Sequence, residues 1–222
     1  MAEEKKLEQE YLPEEITEKD VKKSWLTYYF FAETGISYER LQALGFCMSL
    51  IPIFKKLYKK KEDFTAALKR HMVFYNTEAV FGSVINGITI AMEEQKAKGA
   101  PIDDETITSV KSGLMGPMAG VGDSLDWATF KPIIFALGAT LSAQGIGCFV
   151  LLLLPIIQMI IGTNFAAFGY RKGRSSVRSI LGSGKIQQLL TAASALGIYM
   201  MGALSSTYVK LSTPLQFTFG KG

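Results

Sequence analysis

Catalytic side chains are scarce in this sequence. It has one histidine, His71, and two cysteines, Cys47 and Cys148, in 222 residues. A single histidine excludes a multi-histidine metal site and argues against a Ser-His-Asp hydrolase. On its segment His71 reads as a packing or interface group rather than a catalyst. Both cysteines sit in apolar surroundings, at a spacing that suits neither a metal nor a redox pair, so they read as packing residues and imply no disulfide framework. The glycine-rich segment after residue 111 lacks the Gly-Lys-Ser/Thr ending of a P-loop and the GxGxxG spacing of a dinucleotide fold, so nucleotide binding is not supported. Basic residues are not interleaved with aromatics, and no nucleic-acid groove is expected. No metal or cofactor is implied. No nucleophile and base stand together, which weighs against a membrane enzyme acting on lipid.

Charge is missing just as selectively. The chain is 20% charged with a mean hydropathy of +0.20, averages that would suit one soluble domain, but the charges are unevenly placed. Residues 1–40 are crowded with Glu and Lys, whereas no ionisable acid or base occurs from 132 to 170 or from 186 to 209. A bilayer core takes roughly 20 apolar residues per crossing helix, so the first run holds one full span plus a partial one and the second holds one. The N-terminus is acidic and polar with no apolar core, which excludes a secretory signal and leaves that segment expected in the cytoplasm. The net charge is +4. Its cations gather beside apolar stretches, at Lys55, Lys56, Lys59, Lys60 and Lys61 and at Arg171, Lys172, Arg174 and Arg178, a pattern that suits anionic lipid headgroups.

Along the chain, residues 17–34 read as a polar helix start followed by the aromatic cluster Trp25, Tyr28, Tyr29, Phe30 and Phe31, which suits either a membrane interface or a packing face. Residues 41–54 are uncharged and too short to span. Phe64, Leu68, His71 and Tyr75 recur at helical spacing, which predicts an amphipathic helix over 62–78. Residues 79–92 are again uncharged and short, and fit a re-entrant or interfacial element. Asp103, Asp104 and Glu105 mark a helix start. On that helix Lys111 shares an apolar stripe with Ile107, Val110 and Leu114.

The most informative segment is SGLMGPMAGVGDSLDWATFKP, in which Gly113, Gly116, Pro117, Gly120 and Gly122 punctuate an apolar run that ends in Asp123. Regular helix is not expected to persist there. Unwound backbone at membrane depth is tolerated where protein encloses it or where it lines a wet cavity, so the break marks a solute site, with Lys111, Asp123, Asp126 and Lys131 able to pair with one another or with sugar hydroxyls. The alternative is a glycine-rich turn at the membrane surface. Beyond it a short apolar helix over 132–143, a turn at 145–147 and a full span over 149–167 are predicted. The basic connector 170–185 should face the cytoplasm, so the helix over 186–209 runs outward. Its glycines and small residues suit close helix packing.

Three stretches, ERLQALGFCMSLIP at 39–52, KRHMVFYNTEA at 69–79 and KSGLMGPMAGVGDSLDWATFKPI at 111–133, resemble the IID membrane component of the mannose, fructose and sorbose class of bacterial sugar phosphotransferase systems. Weaker echoes follow in IAMEEQKAKGAPIDDE and LGIYMMGAL. The resemblance implies a non-catalytic transport subunit in the bacterial cytoplasmic membrane, paired with a IIC subunit, assembled as a trimer of heterodimers, and carrying a hexose-type sugar inward. It implies phosphate supplied by cytoplasmic IIA and IIB components, so that His71 need not be phosphorylated. The sugar-path residues it points to are His71, Asn76, Thr77, Glu78, Lys111, Gly122, Asp123 and Lys131, with Lys111 paired to Asp123 or Glu78. Two departures stand out: Asp126 and Ala128 replace an aromatic residue and a glycine usual in the family, and the family's apolar continuation beyond residue 222 is missing, as in a truncated chain or a member short of one span. The expected fold is an all-α integral membrane protein of amphipathic and re-entrant helices plus a small number of spanning helices. A polar, interfacial region occupies 1–38 and a IID-like membrane domain 39–222, with short apolar and amphipathic segments over 39–110, a re-entrant segment over 111–145, and spans over about 148–169 and 186–209. A non-transporting interaction or docking protein derived from the same family is the alternative.

Overall fold

Helix α1, Glu18–Phe31, begins where the sequence supplies a cap: the Thr17 hydroxyl accepts the Asp20 N–H at 3.3 Å and the Asp20 carboxylate accepts the Thr17 N–H at 3.0 Å, a reciprocal capping box. This computed structural model describes residues 12–142, 144–180, 191–192, 195–199 and 202–203, with backbone alone at 148 and 176–180. Helices α2, Ala43–Leu57, α3, Lys61–His71, and α4, Ser83–Ala97, follow. A single helical rod then runs as α5, Asp104–Gly122, a π-helical segment, Asp123–Phe130, and α6, Lys131–Ser142. A turn at Gly145, with φ of +77°, reverses the chain into α7, Gly147–Ile180. The described residues form no strand, only isolated bridges of Leu41 to Ser37 and Tyr75.

The core is aromatic and lies where α1, α2 and α4 meet α7. Trp25, Tyr28, Phe46, Phe54, Tyr75 and Tyr170 are all buried. The predicted aromatic cluster therefore divides: Trp25 and Tyr28 enter the core, while Phe30 and Phe31 stay exposed. Glycines bring α4 and α7 together, main chain on main chain. A Cβ at Gly87 would overlap the Ala166 carbonyl oxygen, one at Gly169 the Val84 carbonyl, and one at Gly162 the Trp25 ring.

Helix α7 is about 51 Å long at 1.5 Å per residue, and over Phe149–Ser175 it is the one described helix long and apolar enough to cross a membrane. Its outer side and α6 leave Ile133, Phe135, Phe149, Leu152 and Ile160 exposed, a surface suited to lipid or protein rather than water. Three predicted boundaries move. Helix α7 continues through the basic residues to Ile180, because Arg and Lys are good helix formers and no proline intervenes. Helix α3 stops at His71 rather than reaching 78, because Tyr75 leaves the helix to pair with the strand-like turn before α2, donating its N–H to Arg40 O at 3.3 Å and accepting from Gln42 N at 2.9 Å. The glycine-rich stretch stays helical through Gly122, with Pro117 inside. Gly120 and Gly122 act as contact notches rather than as a break: a Cβ at Gly120 would lie 2.9 Å from Gly197 O, one at Gly122 would overlap the Glu78 carboxylate, and one at Gly197 would lie 2.8 Å from Pro117 Cα. The predicted helix over 186–209 falls mostly outside the described residues; 191–192, 195–199 and 202–203 within it are helical.

Gly87→Ala or Gly169→Ala is expected to destabilise the detergent-solubilised protein by about 1–3 kcal/mol through overpacking. Gly116→Ala, with nothing within 4 Å of its Cβ position, should be neutral or stabilising. Thermal unfolding that ranks Gly116→Ala as the most damaging of the three would contradict this packing.

Candidate functional site

The loop between α3 and α4 carries the first half of the site. Thr77 is locked from two sides, its N–H donating to Gln42 Oε1 at 3.2 Å and its hydroxyl to Met115 O at 3.1 Å. Gln42 is itself oriented by the Tyr28 hydroxyl at 2.7 Å and donates to Glu33 at 2.7 Å. The Glu78 carboxylate folds back over its own turn, accepting the N–H groups of Val80 at 2.9 Å and Phe81 at 2.7 Å. Gly122 allows this, since a Cβ there would overlap the Glu78 carboxylate.

The second half comes from the π-helical segment. Residues five apart point about 140° away from each other around an α-helix, but the wider i→i+5 turn brings them onto one side. Lys131 donates its backbone N–H to Asp126 O, and its ammonium reaches Asp126 Oδ2 at 2.9 Å while lying over the Trp127 ring. Across from it Gln158 of α7 donates from Nε2 to the two Asp126 oxygens, at 2.8 and 2.9 Å, and accepts the Tyr29 hydroxyl at 2.8 Å. Gln158 stands midway along the uncharged run 149–167. These parts enclose an open-sided cleft of about 600 Å³, lined by side chains that include Tyr29, Glu33, Gln42, Glu78, Asp123 and Trp127. Asp126 and Gln158 are buried at its base, whereas Trp127 is 61% exposed at its mouth. The polar groups offered to a guest are side-chain carboxylates, amides and an ammonium, not the unwound main chain expected from the glycines.

Of the residues singled out from the sequence, Asn76, Thr77, Glu78, Asp123 and Lys131 line this cleft, and Gly122 lies against Glu78. His71 and Lys111 do not line it. His71 is fully buried and donates from Nε2 to Glu93 Oε1 at 2.8 Å. The same carboxylate accepts Arg70 Nε and Nη2 at 2.8 and 2.9 Å and the Tyr58 hydroxyl at 2.5 Å, and Arg70 also reaches Asp104 at 2.7 Å. This cluster ties α2, α3, α4 and α5 together. It lies beyond the apolar part of α7, since neighbouring Glu94 meets Tyr170 and Arg174 at the basic end of that helix. Lys111 pairs with neither Asp123 nor Glu78. Its ammonium is buried without a hydrogen-bond partner, 5.5 Å from the Phe46 ring centre and 5.8 Å from that of Tyr75, a cation–π setting. The unbroken helix separates Lys111 from Asp123, since 12 residues put about 18 Å of axial rise between them, and Glu78 is turned instead to the N–H groups of Val80 and Phe81.

Sequence reasoning missed Tyr29, Gln42 and Gln158 as lining residues. The signal for Gln158 was present as an isolated amide in the run FVLLLLPIIQMIIG. Tyr29 and Gln42 carry no such mark, because their positions depend on tertiary packing.

A spanning helix with a buried ion pair and amide ring beside it belongs to membrane proteins that handle polar solutes. The sequence model of the PTS system mannose/fructose/sorbose family IID component matches residues 15–222, and the chain belongs to that family. It is 40% identical over 207 residues to the sorbose-specific EIID component of Lacticaseibacillus casei, covering 92% of this chain and 73% of that one. It is 39% identical over 204 residues to the mannose-specific EIID component of Escherichia coli (strain K12), covering 90% and 71%. Among solved structures it is similar to a chain in the complex of mannose transporter ManYZ with microcin E492, with a TM-score of 0.79 and 38% identity over 91% of this chain and 74% of that one. IID components are membrane transport subunits, and phosphorylation in such systems is done by other components.

Burial holds the His71 imidazole below its ordinary pKa despite the hydrogen bond to Glu93. The unfolded chain thus binds the proton more readily, so this contribution to stability is present above about pH 6.5 and declines as the pH falls below it. His71→Gln keeps an N–H donor for Glu93 and removes the titration. Thermal unfolding at stepped pH should show a shallower acid loss in His71→Gln, and an unchanged slope would remove His71 as its source.

Proposed function

We propose that the chain is the IID subunit of a phosphoenolpyruvate-dependent sugar phosphotransferase permease, and that with a IIC membrane subunit it binds a hexose-type sugar and carries it across the bacterial cytoplasmic membrane. The observation that carries this reading is the cleft itself, with buried polar side chains gathered at the midpoint of an apolar helix. An ion pair and oriented amides at such a depth are costly unless they serve a polar guest. Carboxylates and amides supply acceptors and donors for hydroxyls, and Tyr29 and Trp127 supply apolar faces for a sugar ring. Mannose, sorbose and fructose are the sugars named for the family's relatives.

Asn76, Thr77, Glu78, Gly122, Asp123 and Lys131 are the sugar-contacting set in this reading, and His71 and Lys111 brace the framework behind it. The open side of the cleft, with Trp127 at its edge, suits closure by the IIC subunit, and a trimer of such heterodimers is the assembly. Cytoplasmic IIA and IIB components deliver the phosphate. The basic end of α7 faces the cytoplasm by the positive-inside rule. The polar start of α1, where Ile16 O accepts the Tyr170 hydroxyl and Glu18 meets Arg171 at the basic end of α7, lies at the interface, and 39–222 form a multi-pass membrane domain in which the short helices α2 and α4 enter the bilayer without crossing it.

Deleting the chain from its host should abolish uptake of one sugar among mannose, fructose and sorbose, measured with radiolabelled sugar, and plasmid-borne chain should restore it. Asp123→Asn in the restored strain should reduce uptake at limiting sugar by about tenfold, the weight of one hydrogen bond to a charged group. Uptake of all three sugars left intact by the deletion would favour a non-transporting docking protein instead.

A further inference from the structure

The Asp126–Lys131 pair has a geometry that goes beyond filling a cleft. A carboxylate has about four acceptor positions. On Asp126, Gln158 Nε2 occupies one on each oxygen and Lys131 takes a second on Oδ2, which leaves one on Oδ1. The Lys131 ammonium has three donors and gives one to Asp126. A spare acceptor and spare donors therefore stand side by side, joined by an ion pair 2.9 Å long. Neighbouring hydroxyls on a sugar ring present the complement, one O–H to donate and one oxygen to accept, at hydrogen-bond separation from each other.

Resting on the transport reading above, we propose that Asp126 and Lys131 are the specificity-determining pair of the cleft and read two adjacent hydroxyls of the guest, and that Gln158 is the positioning residue that aims the Asp126 carboxylate. Gln158 cannot turn freely: its oxygen is taken by the Tyr29 hydroxyl, so its NH₂ must face Asp126. Asp126 is 3% exposed and Gln158 7%, so a guest that lacks either hydroxyl leaves a buried donor or acceptor unanswered, the circumstance in which polar sites discriminate most strongly. The π-helical turn is what sets the two charged side chains on one side, so the reading head is built by main-chain geometry and not by a loop.

The test uses the complete permease, this chain with its IIC, IIA and IIB components, in membrane vesicles. The transported sugar is found among radiolabelled mannose, fructose and sorbose, and its monodeoxy analogues are run as competitors. In the unaltered permease two analogues, missing adjacent hydroxyls, should compete at least about tenfold more weakly than the parent sugar, the factor carried by a hydrogen bond to a charged group. Asp126→Asn, of the same shape, should lose discrimination against one of these analogues, and Lys131→Gln against the other. Lys131→Arg, which keeps a donor, should retain it. Gln158→Leu should raise the half-saturating concentration with the maximal rate within about twofold, and weaken discrimination against the same analogue as Asp126→Asn. Chain abundance in the vesicles separates these effects from misfolding, and Lys131→Arg keeps the pair testable should Asp126→Asn fail to assemble. Discrimination unchanged in Asp126→Asn and Lys131→Gln overturns the assignment while the transport reading stands. Absence of uptake of all three sugars by the unaltered permease overturns the transport reading, and this inference with it.

Discussion

Helices α4 and α7 touch main chain to main chain, with no side chain between them at Gly87 and Gly169, and the placement of the other elements follows from that approach. Small residues at a crossing let two helices gain dispersion contact over their backbones, which is the association force that remains when apolar side chains have lipid as an equally good partner. Once α4 is seated, the loop before it is held against α7, and α1 closes the other side by laying Trp25 across Gly162 and donating the indole N–H to Ala79 O at 3.0 Å. Two walls of the cleft, α1 and the loop before α4, therefore share α7 as support, and the π-helical segment faces the same helix through Asp126 and Gln158.

The far end of α4 is tied by a different means. Glu93 is fully buried and receives hydrogen bonds from Arg70, His71 and Tyr58, while Glu94 next to it meets Tyr170 at 2.7 Å and Lys98 at 2.6 Å. Removing Arg70, the cation of this cluster, would leave the Glu93 carboxylate an uncompensated buried charge, a cost of several kcal/mol. The same helix thus meets α7 through glycine at one end and through Glu94, bonded to Tyr170 and paired with Arg174, at the other, which accords with its passing from an apolar environment to a basic, polar one.

Much of this was legible in the residues. The uncharged run 149–167 announced the spanning helix, Thr17 and Asp103 announced helix starts, and the motif residues 76–78 and 122–123 fell at one cleft although more than forty positions separate them. What was misread had a common cause. Glycine and proline in SGLMGPMAGVG signal a break by local propensity, but tertiary contact at Gly120 and Gly122 supplies what propensity withholds, so the helix survives and Lys111 is carried away from Asp123. Likewise Tyr75 fits the helical periodicity of α3 yet bonds to Arg40 and Gln42, a partner 35 residues away that no local pattern could reveal. The π-helical turn left no mark in the sequence, since its residue types suit an α-helix equally well.

The π-helical segment also stores an extra length of chain. A wide turn can lose one residue and close to an ordinary α turn, so a deletion within 123–130 is absorbed on the spot and the faces of α5 and α6 keep their bearings. The same deletion anywhere else along that rod would swing everything beyond it by about 100°. The cleft thus sits at the one stretch of the rod whose length can change without re-aiming its neighbours, leaving room for related chains to vary the residues presented there on an unaltered frame.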